Sequence, residues 1–458
     1  MTEAAQAAVE ARGADAATPA TARTDSSGRN TAVLVLFTAA TNLADGMLKV
    51  ALPLIATSLT NSPALISGVL TTLTLPWLFT ALHVGVLVDR GDRRKLLWLA
   101  NAVRVAVVGG FLAAALAGTL NLAMIYAGGV ILGVAEVIAL TSAAALLPSL
   151  VAAPKRERAN SWLTGSETVC NEFLGPFLGG LLVAAGAGIV LGTSAITYAI
   201  TAATLVFLVG RFRAVQTTAP AGVAAARPAI HAQIVEGLRY LWEQRVLRVM
   251  TLLVGVLCSL WGAWLALMPL YATTTMGLST AAYGLLVGAL GAGGTCGAVL
   301  VSHCNRLFGR RRVMFGNIFL TGALVAFPAI STNVWVVALG AFLGGLGSGL
   351  WVVNSRTVSQ TLVNASMMGR YSAAARLFGW GSVPVGAFVA GLLAEWVGVK
   401  AAFAVFALIA LTVVVPFLRV YSRTVAADME TRISSGAEPP APGVREHNDG
   451  HVDDAHSP

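Results

Sequence analysis

The sequence predicts an all-α integral membrane protein with twelve transmembrane helices in two six-helix halves. The 458-residue chain is 56% hydrophobic and only 11% charged, and its mean hydropathy is +0.76, whereas soluble proteins carry roughly a quarter charged residues. It contains repeated apolar runs that are long enough to cross a bilayer, and basic residues gather in every second connection between them. Such a chain has too few polar side chains to cover a water-facing globule.

The apolar runs fall into two sets of six, because one crossing takes about 20 residues. The first set, helices 1 to 6, covers residues 31–58, 64–88, 96–118, 121–149, 159–186 and 188–210. The second set, helices 7 to 12, covers residues 249–275, 279–303, 312–331, 334–362, 371–396 and 400–421. The sequence therefore predicts an N-terminal bundle at 31–210 and a C-terminal bundle at 249–422.

Three polar segments flank these bundles, at 1–30, 211–248 and 423–458. The first contains no apolar stretch beside a cleavage site, so we expect no removable signal peptide. In the second, Ile234, Leu238 and Leu241 recur at helical spacing, which predicts an amphipathic helix at the cytoplasmic membrane surface. The third ends in a His- and Asp-rich stretch for which metal binding is conceivable, but its composition favours a disordered cytoplasmic tail.

The basic residues predict the orientation in the membrane, because cytoplasmic loops collect Lys and Arg. They occur at Arg90, Arg93, Arg94 and Lys95, at Lys155, Arg156 and Arg158, throughout 211–248, at Arg306 and Arg310–Arg312, and at Arg370. The alternate connections contain no basic residue until Lys400. We therefore expect a multi-pass protein of the cytoplasmic membrane with both termini cytoplasmic. The net charge of +9 follows from this topology and gives no reason to expect nucleic acid binding.

Several stretches resemble the major facilitator superfamily, and more narrowly its efflux branch, which includes macrolide exporters and the enterobactin exporter. They are GVLVDRGDRRK at 85–95, LLPSLVAAPKRERAN at 146–160, GPFLGG at 175–180 and MMGRYSAAARLFGWGSVPVGAFVAGLLAE at 367–395. A second basic turn, GAVLVSHCNRLFGRRR at 297–312, repeats the first in the other half. The resemblance implies the major facilitator fold, with a substrate site between the halves.

The loop after helix 2 carries the predicted cytoplasmic gate, formed by Gly85, Asp89, Arg90, Arg93 and Arg94. A carboxylate at this position can accept hydrogen bonds from an arginine and from the exposed amides of a neighbouring helix start. The resemblance implies that the neighbour is helix 11. The alternative is that these cations only anchor the loop in the cytoplasm.

Helix 5 carries the motif Gly175, Pro176, Gly179 and Gly180. Small residues allow close contact between helix backbones, and a proline removes one backbone donor and bends the helix. The resemblance implies that this motif belongs to proton antiporters.

Ionisable residues inside the apolar runs are the strongest candidates for a functional site, because an unpaired charge in a bilayer is costly. In helix 1, Asn42, Asp45 and Lys49 share one face, and helix 4 contains Glu136. Because helices 1, 4, 7 and 10 line the cavity in the resembled family, we expect both carboxylates to reach it and to bind protons or substrate. Alternatively, Lys49 neutralises Asp45 and the pair only fixes packing.

The remaining candidates lie in the second half. Trp261 and Trp264 in helix 7 are predicted to stack on an amphipathic ligand, with ordinary packing as the alternative. Arg356 and Arg376 are predicted to hold helices together by ion pairs, or to attract an anionic substrate.

Together these features predict a monomeric secondary transporter that exports an amphipathic small molecule, such as a drug, antibiotic or siderophore, by alternating access in exchange for protons. No nucleotide-binding loop, metalloprotease motif or hydrolase motif occurs in the sequence, so we expect neither enzymatic activity nor a metal or cofactor. The alternatives are a proton-coupled importer of a nutrient and a membrane sensor that does not transport.

Overall fold

The computed structural model describes residues 20–151, 155–208, 230–363 and 367–435. The N-terminal half contains α1 (Ala20–Ala56), α2 (Pro63–Thr74, Pro76–Phe79 and Ala81–Arg90), α3 (Arg93–Leu116), α4 (Leu122–Leu150), α5 (Arg156–Thr168 and Gly175–Ala185) and α6 (Ala187–Thr204). The C-terminal half contains α7 (Arg245–Leu270), α8 (Thr280–Phe308), α9 (Arg310–Ile330), α10 (Val334–Leu362), α11 (Met368–Trp380 and Ser382–Val397) and α12 (Val399–Thr412 and Val414–Val420).

The predicted all-helical membrane fold is confirmed. Within the described residues, eleven helical stretches are long and apolar enough to cross a membrane, and the shorter apolar stretch Pro63–Phe79 supplies the twelfth, in α2. Pro76 opens a new segment of α2 because it has no N–H to donate to the preceding turn. In α5, a π-helical turn at Val169–Leu174 immediately precedes Gly175 and Pro176.

The polar flanking segments differ from the sequence prediction where the structure describes them. The first helix begins at Ala20, inside the segment predicted to be a tail. A further helix at Arg423–Ser435, the tail helix, lies where a disordered tail is predicted, and its Met429 is buried against the bundle. The His-rich end of the chain lies outside the described residues.

The linker helix (Ile230–Glu243) is amphipathic as predicted, and part of its apolar face packs on the protein. Leu241 is fully buried in a cluster with Leu247, Met367 and Tyr371 at the starts of α7 and α11. The helix therefore packs on the C-terminal half.

Among the described residues, the two halves pack most closely at one end of the bundle. We call the end with the Arg- and Lys-rich connections the basic end. At the opposite end, Pro63–Thr74 of α2 packs on Ser382–Val397 of α11, and α5 packs on α8. There the Ser62 hydroxyl donates to Glu395 Oε2 at 2.7 Å.

Towards the basic end, the described helices pack mainly on helices of their own half. Val84 and Val88 of α2 pack on Val137 of α4, and the start of α11 packs on the linker helix. The halves therefore diverge towards the basic end, and a cavity opens between them.

Candidate functional site

A cavity of about 770 Å³ lies between the two halves. Its lining comes from α1, α2, α5, α7, α9, α10 and α11, and it reaches from Asn160 and Gln360 near the basic end to Lys49 and Leu265 deep between the halves. Contrary to the expectation from the family, α4 contributes no lining residue. Helices 1, 7 and 10 do line the cavity, as expected.

Lys49 is the charged residue of α1 that borders the cavity. Its ammonium group lies 2.9 Å from Glu136 Oε1 and donates to Asn171 Oδ1 at 2.8 Å. Asn171 in turn donates to Asn42 Oδ1 at 2.8 Å and to Glu136 Oε1 at 3.2 Å. We call these four residues of α1, α4 and α5 the Lys49 cluster.

The Lys49 cluster meets the cavity through Lys49 and Asn171, whereas Glu136 lies behind them and is 5% exposed. The expectation that Glu136 reaches the cavity was therefore wrong. Its cation comes from α1, and the sequence could not reveal this pair because a helix pattern identifies only partners three or four residues away.

The Lys49 cluster also reaches the other half of the protein. The ammonium of Lys49 lies 5.9 Å from the ring centroid of Trp380 in α11, within the range of a cation–π interaction. Trp380 also stacks on Trp77 of α2, with ring centroids 6.1 Å apart. One lysine therefore contacts a buried carboxylate of the first half and an aromatic ring of the second.

Asp45 lies in a separate buried group. Its carboxylate accepts from Arg104 of α3 at 2.9 Å and from the Tyr198 hydroxyl of α6 at 2.6 Å. Arg104 is fully buried, and its guanidinium also lies over the Tyr198 ring at 5.2 Å. None of these three residues lines the cavity. The alternative that Lys49 neutralises Asp45 is wrong about the partner, since Arg104 takes that place.

The two tryptophans of α7 are separated. Trp261 lines the cavity, whereas Trp264 is fully buried in the core of the C-terminal half and does not line it. The expectation that both rings face a ligand was therefore wrong for Trp264. Three residues make slightly less than one helical turn, so the two rings point in somewhat different directions, and only that of Trp261 borders the cavity.

Arg356 and Arg376 line the cavity and are exposed within it. Among the described residues neither forms an ion pair within 4 Å, contrary to the expectation that they hold helices together. Glu167 on α5 carries a negative charge that acts on both arginines at longer range. Because Glu395 is the single carboxylate in residues 249–420, these cations have no close carboxylate of their own half.

Glu172 is a lining residue that the sequence suggests only as a member of an ion pair between helices. It follows Asn171 in the π-helical turn of α5. The available signal was the pair of adjacent polar residues Asn171 and Glu172, which lies in an apolar run just before Pro176. Regular helical periodicity does not predict that Glu172 faces the cavity, because a π turn changes which residues share a face of the helix.

The predicted gate segment is only partly described. The Arg93 guanidinium donates to the carbonyl of Ala145 in α4 at 2.8 Å, so it is bound within its own half. Gly85 has open space around it. The side chains of Asp89 and Arg90 lie outside the described residues.

The helix 5 motif lies against two neighbours. A Cβ atom added at Gly179 would meet the Met47 carbonyl of α1 at 2.4 Å, and one at Gly180 would meet the Gly284 Cα of α8 at 2.5 Å. Gly175 is equally close to α1, and Pro176 borders the cavity. The motif therefore brings α5 into backbone contact with both halves.

Comparison with known proteins gives consistent matches. A family model described as transmembrane secretion effector matches residues 28–452. The multidrug efflux pump Tap of Mycobacterium tuberculosis and Mycobacterium bovis is 26% identical over 399 residues, which cover 83% of this chain and 91% of Tap.

Two solved structures share the fold. The nucleoside transporter NupG has a TM-score of 0.65 at 12% identity, covering 86% of this chain and 99% of NupG. A bacterial homologue of the iron transporter ferroportin in an inward-facing state has the same TM-score at 15% identity, covering 86% of this chain and 98% of that protein.

Proposed function

Because the chain belongs to the transmembrane secretion effector family of the major facilitator superfamily, we propose that it exports an amphipathic small molecule in exchange for protons. It is a multi-pass membrane transporter by family and fold. Export is favoured by the likeness to Tap, whose name describes a multidrug efflux pump. Proton coupling is supported by the position of the Lys49 cluster beside the cavity.

The basic end would face the cytoplasm, because basic connections are retained there. Both termini would then be cytoplasmic, and the cavity would open to the cytoplasm in this structure. A substrate would enter from that side, or from the inner leaflet, and leave after the halves close at the basic end and part at the opposite end.

The observation that carries the proposal is the place of Lys49 between Glu136 and Trp380. An ionised Glu136 holds the ammonium by a charge-assisted hydrogen bond. A proton taken up by Glu136 removes that attraction, so Lys49 is freed to move relative to Trp380 on the other half. The protonation state of the first half would thereby bias how it packs on the second.

In the cycle that we propose, this structure represents the form that has released its proton to the cytoplasm and awaits substrate. Glu136 would reload from outside when the opposite end opens. Because Glu136 is shielded by Lys49 and Asn171, proton exchange with the cavity would require these two side chains to move aside.

The other sequence candidates take supporting roles in this proposal. Asp45 would position α1 against α3 and α6 through Arg104, and would not itself carry protons. The gate residues Gly85, Asp89, Arg90, Arg93 and Arg94 would close the basic end onto α11 in a later state. For that closure, the segment Ala81–Arg90 would have to approach α11, which it does not touch closely here.

Proton flux in proteoliposomes tests the coupling. The purified protein is reconstituted with a pH-sensitive dye inside, and candidate drugs and dyes are added to the wild type and to Glu136→Gln. We expect substrate-triggered proton movement in the wild type and its loss in Glu136→Gln, because glutamine cannot bind and release the proton. Glu243→Gln changes an exposed linker-helix carboxylate and serves as the matched control.

The same assay separates the alternatives. Substrate-driven proton movement that persists in Glu136→Gln would refute the role of this carboxylate. Protons and substrate moving in the same direction would indicate a symporter that imports a nutrient. A compound that binds but is never transported would indicate a sensor.

A further inference from the structure

Glu395 is a carboxylate at the end of the bundle opposite to the basic end, and it does not line the cavity. We call this end the outer end, because it would face outward in the proposed orientation. The Oε2 atom of Glu395 accepts from the Ser62 hydroxyl at 2.7 Å and from the Ala64 backbone N–H at 3.2 Å. Ser62 and Ala64 belong to the first half and Glu395 belongs to the second. One carboxylate oxygen therefore joins the two halves by two hydrogen bonds.

The carboxylate meets α2 at the start of that helix. Ser62 is the N-cap residue, and its hydroxyl oxygen also accepts from the Leu65 N–H at 3.3 Å. The first turn of a helix has backbone N–H groups without partners in the helix, and it carries a partial positive charge. An ionised carboxylate is stabilised at this position. Glu395 thus caps a helix of the other half.

Close backbone packing holds Glu395 in this place. Gly391 precedes it by four residues, so both lie on the same face of α11. A Cβ atom added at Gly391 would meet the Ser67 Cβ at 2.6 Å and the Ala64 Cα at 3.2 Å. The two helices are therefore in direct contact beside the carboxylate, and its hydrogen bonds can persist only while that contact remains.

The start of α2 is also bound to its own half. The Tyr126 hydroxyl of α4 donates to the Leu65 carbonyl at 2.5 Å, and Leu65 directly follows the Ala64 N–H that Glu395 accepts from. A movement of this turn away from α11 would therefore involve α4 as well. Glu395 acts through α2 on the helices of the first half.

Few other charges act at the outer end. Glu395 and Lys400 are the two charged residues in the stretches that contain this end, which are residues 50–82, 105–135, 173–210, 257–302, 313–355 and 377–418. Lys400 is exposed and, among the described residues, it forms no ion pair within 4 Å. The start of α2 is thus the close partner of the Glu395 carboxylate.

We propose that Glu395 is an outer latch, whose hydrogen bonds to the start of α2 hold the outer end closed and must break each time that end opens. This inference rests on the proposed export function and adds a positioning residue to its cycle. A carboxylate at an exposed helix start changes an equilibrium constant by about twofold to fivefold. That is enough to shift the populations of two states of similar free energy.

Distances across the outer end test the latch. Leu116 and Ile330 lie at the outer ends of α3 and α9, in different halves, and are 77% and 74% exposed. Each is replaced by cysteine in the full-length protein with its four native cysteines changed to serine, and spin labels report their separation in lipid nanodiscs. Glu395→Gln keeps the size of the side chain and removes its charge. We expect the ratio of open to closed molecules to rise by about twofold to fivefold.

Four further variants separate the latch from general packing. Glu395→Ala also removes the hydrogen-bond acceptor and should raise the ratio further, whereas Glu395→Asp keeps the charge and should lie nearer to the wild type. Tyr126→Phe removes a hydrogen bond to the same turn from within the first half, and Lys400→Gln removes the other charge of this end. Both should leave the ratio within about twofold of the wild type. A melting curve verifies that each variant is folded.

Hydrogen exchange supplies a second measurement that needs no label and no cysteine replacement. In Glu395→Gln, exchange should become faster in residues 57–70, where the outer end opens. It should become slower in residues 81–95, because the halves close at the basic end when they part at the outer end. A carboxylate that only stabilises the local helix start would change residues 57–70 alone. The slower exchange at the distant end therefore distinguishes a latch from a local cap.

The contrary outcomes are clear. Glu395→Gln with the wild-type distance distribution, or without slower exchange in residues 81–95, overturns the latch. The latch is also overturned if Tyr126→Phe opens the outer end as much as Glu395→Gln does. These measurements need neither substrate nor proton flow, so failure of the latch leaves the export proposal standing wherever the wild type shows substrate-triggered proton flux. Absence of that flux with every compound counts against export and not against the latch.

Discussion

The two halves share one architecture but are stabilised in different ways. The N-terminal half has two buried ion pairs, Asp45 with Arg104 and Lys49 with Glu136. In the C-terminal half, residues 249–420 contain a single carboxylate, Glu395, and the core is built from close glycine contacts and large apolar side chains. Only the first half therefore has an acidic group inside the bundle that can change its charge during a transport cycle.

This difference suggests that the two halves have different roles in transport. The first half would sense protons, and the second would supply a wall of fixed shape, with Trp261, Arg356 and Arg376 on its surface. Even the two ion pairs of the first half differ, because the Arg104 pair is sealed from the cavity and the Lys49 pair borders it. Variants in each region can separate structural from functional roles.

The largest effect on stability is expected from Arg104→Met. It leaves Asp45 buried with the Tyr198 hydroxyl as its remaining partner, and an uncompensated buried charge costs about 3–5 kcal/mol. The apparent melting temperature in detergent should fall steeply. Lys49→Met should cost less, because Glu136 keeps its hydrogen bond from Asn171.

The double variant Arg104→Met with Asp45→Asn supplies the control. Removing both charges should recover much of the stability lost in Arg104→Met, since no buried ion is left unpaired. A double variant as unstable as the single one would show that the packing of Arg104 matters more than its charge.

An intermediate effect is expected from Gly345→Ala in the C-terminal half. The added Cβ would lie 1.9 Å from the Leu290 carbonyl oxygen, so α8 and α10 must separate, at a cost of about 1–3 kcal/mol. Gly316→Ala in α9 has nothing within 4 Å of the added atom and is the matched control. Equal melting temperatures for the two variants would contradict the glycine-packed description of this half.

The smallest effect is expected from Glu236→Gln in the linker helix. This residue pairs with Arg370 at the start of α11, and both side chains are partly exposed. Such pairs contribute about 0–1 kcal/mol, so the melting curve should barely move. Leu241→Ala, which empties a fully buried position of the same helix, should lower stability clearly more. If the order is reversed, the ion pair and not the apolar face holds the linker helix.

The sequence was sufficient to predict the helices and their division into halves, because long apolar runs leave few alternatives in a bilayer. It also identified Lys49 and Glu136 as unusual, since each is a charged residue inside an apolar run. It did not reveal that they meet, because they are 87 residues apart and lie on different helices. The nearest visible partner of Lys49 was Asp45 on the same helix, and the three-dimensional packing turned Asp45 to α3 and α6 instead.

The same reasoning applies to the position of Glu172 in the cavity and to the packing of the linker helix on α11. A π-helical turn shifts the face on which a residue lies, and no periodic pattern in the sequence indicates it. The apolar face of the linker helix fits both a membrane surface and a protein surface. Only the position of α11 decides between them.

The contact between Gly180 and Gly284 at the end opposite to the basic end links the two halves through positions that have no side chain. A methyl group at Gly284 would lie 2.8 Å from the Leu181 backbone nitrogen, and it could be accommodated only if the halves part there. Natural variation at this point would therefore change how long the protein dwells in each state, and so its turnover rate, without altering the surface that selects the cargo. Two homologues with identical cavities would then differ in turnover rate because of a single methyl group.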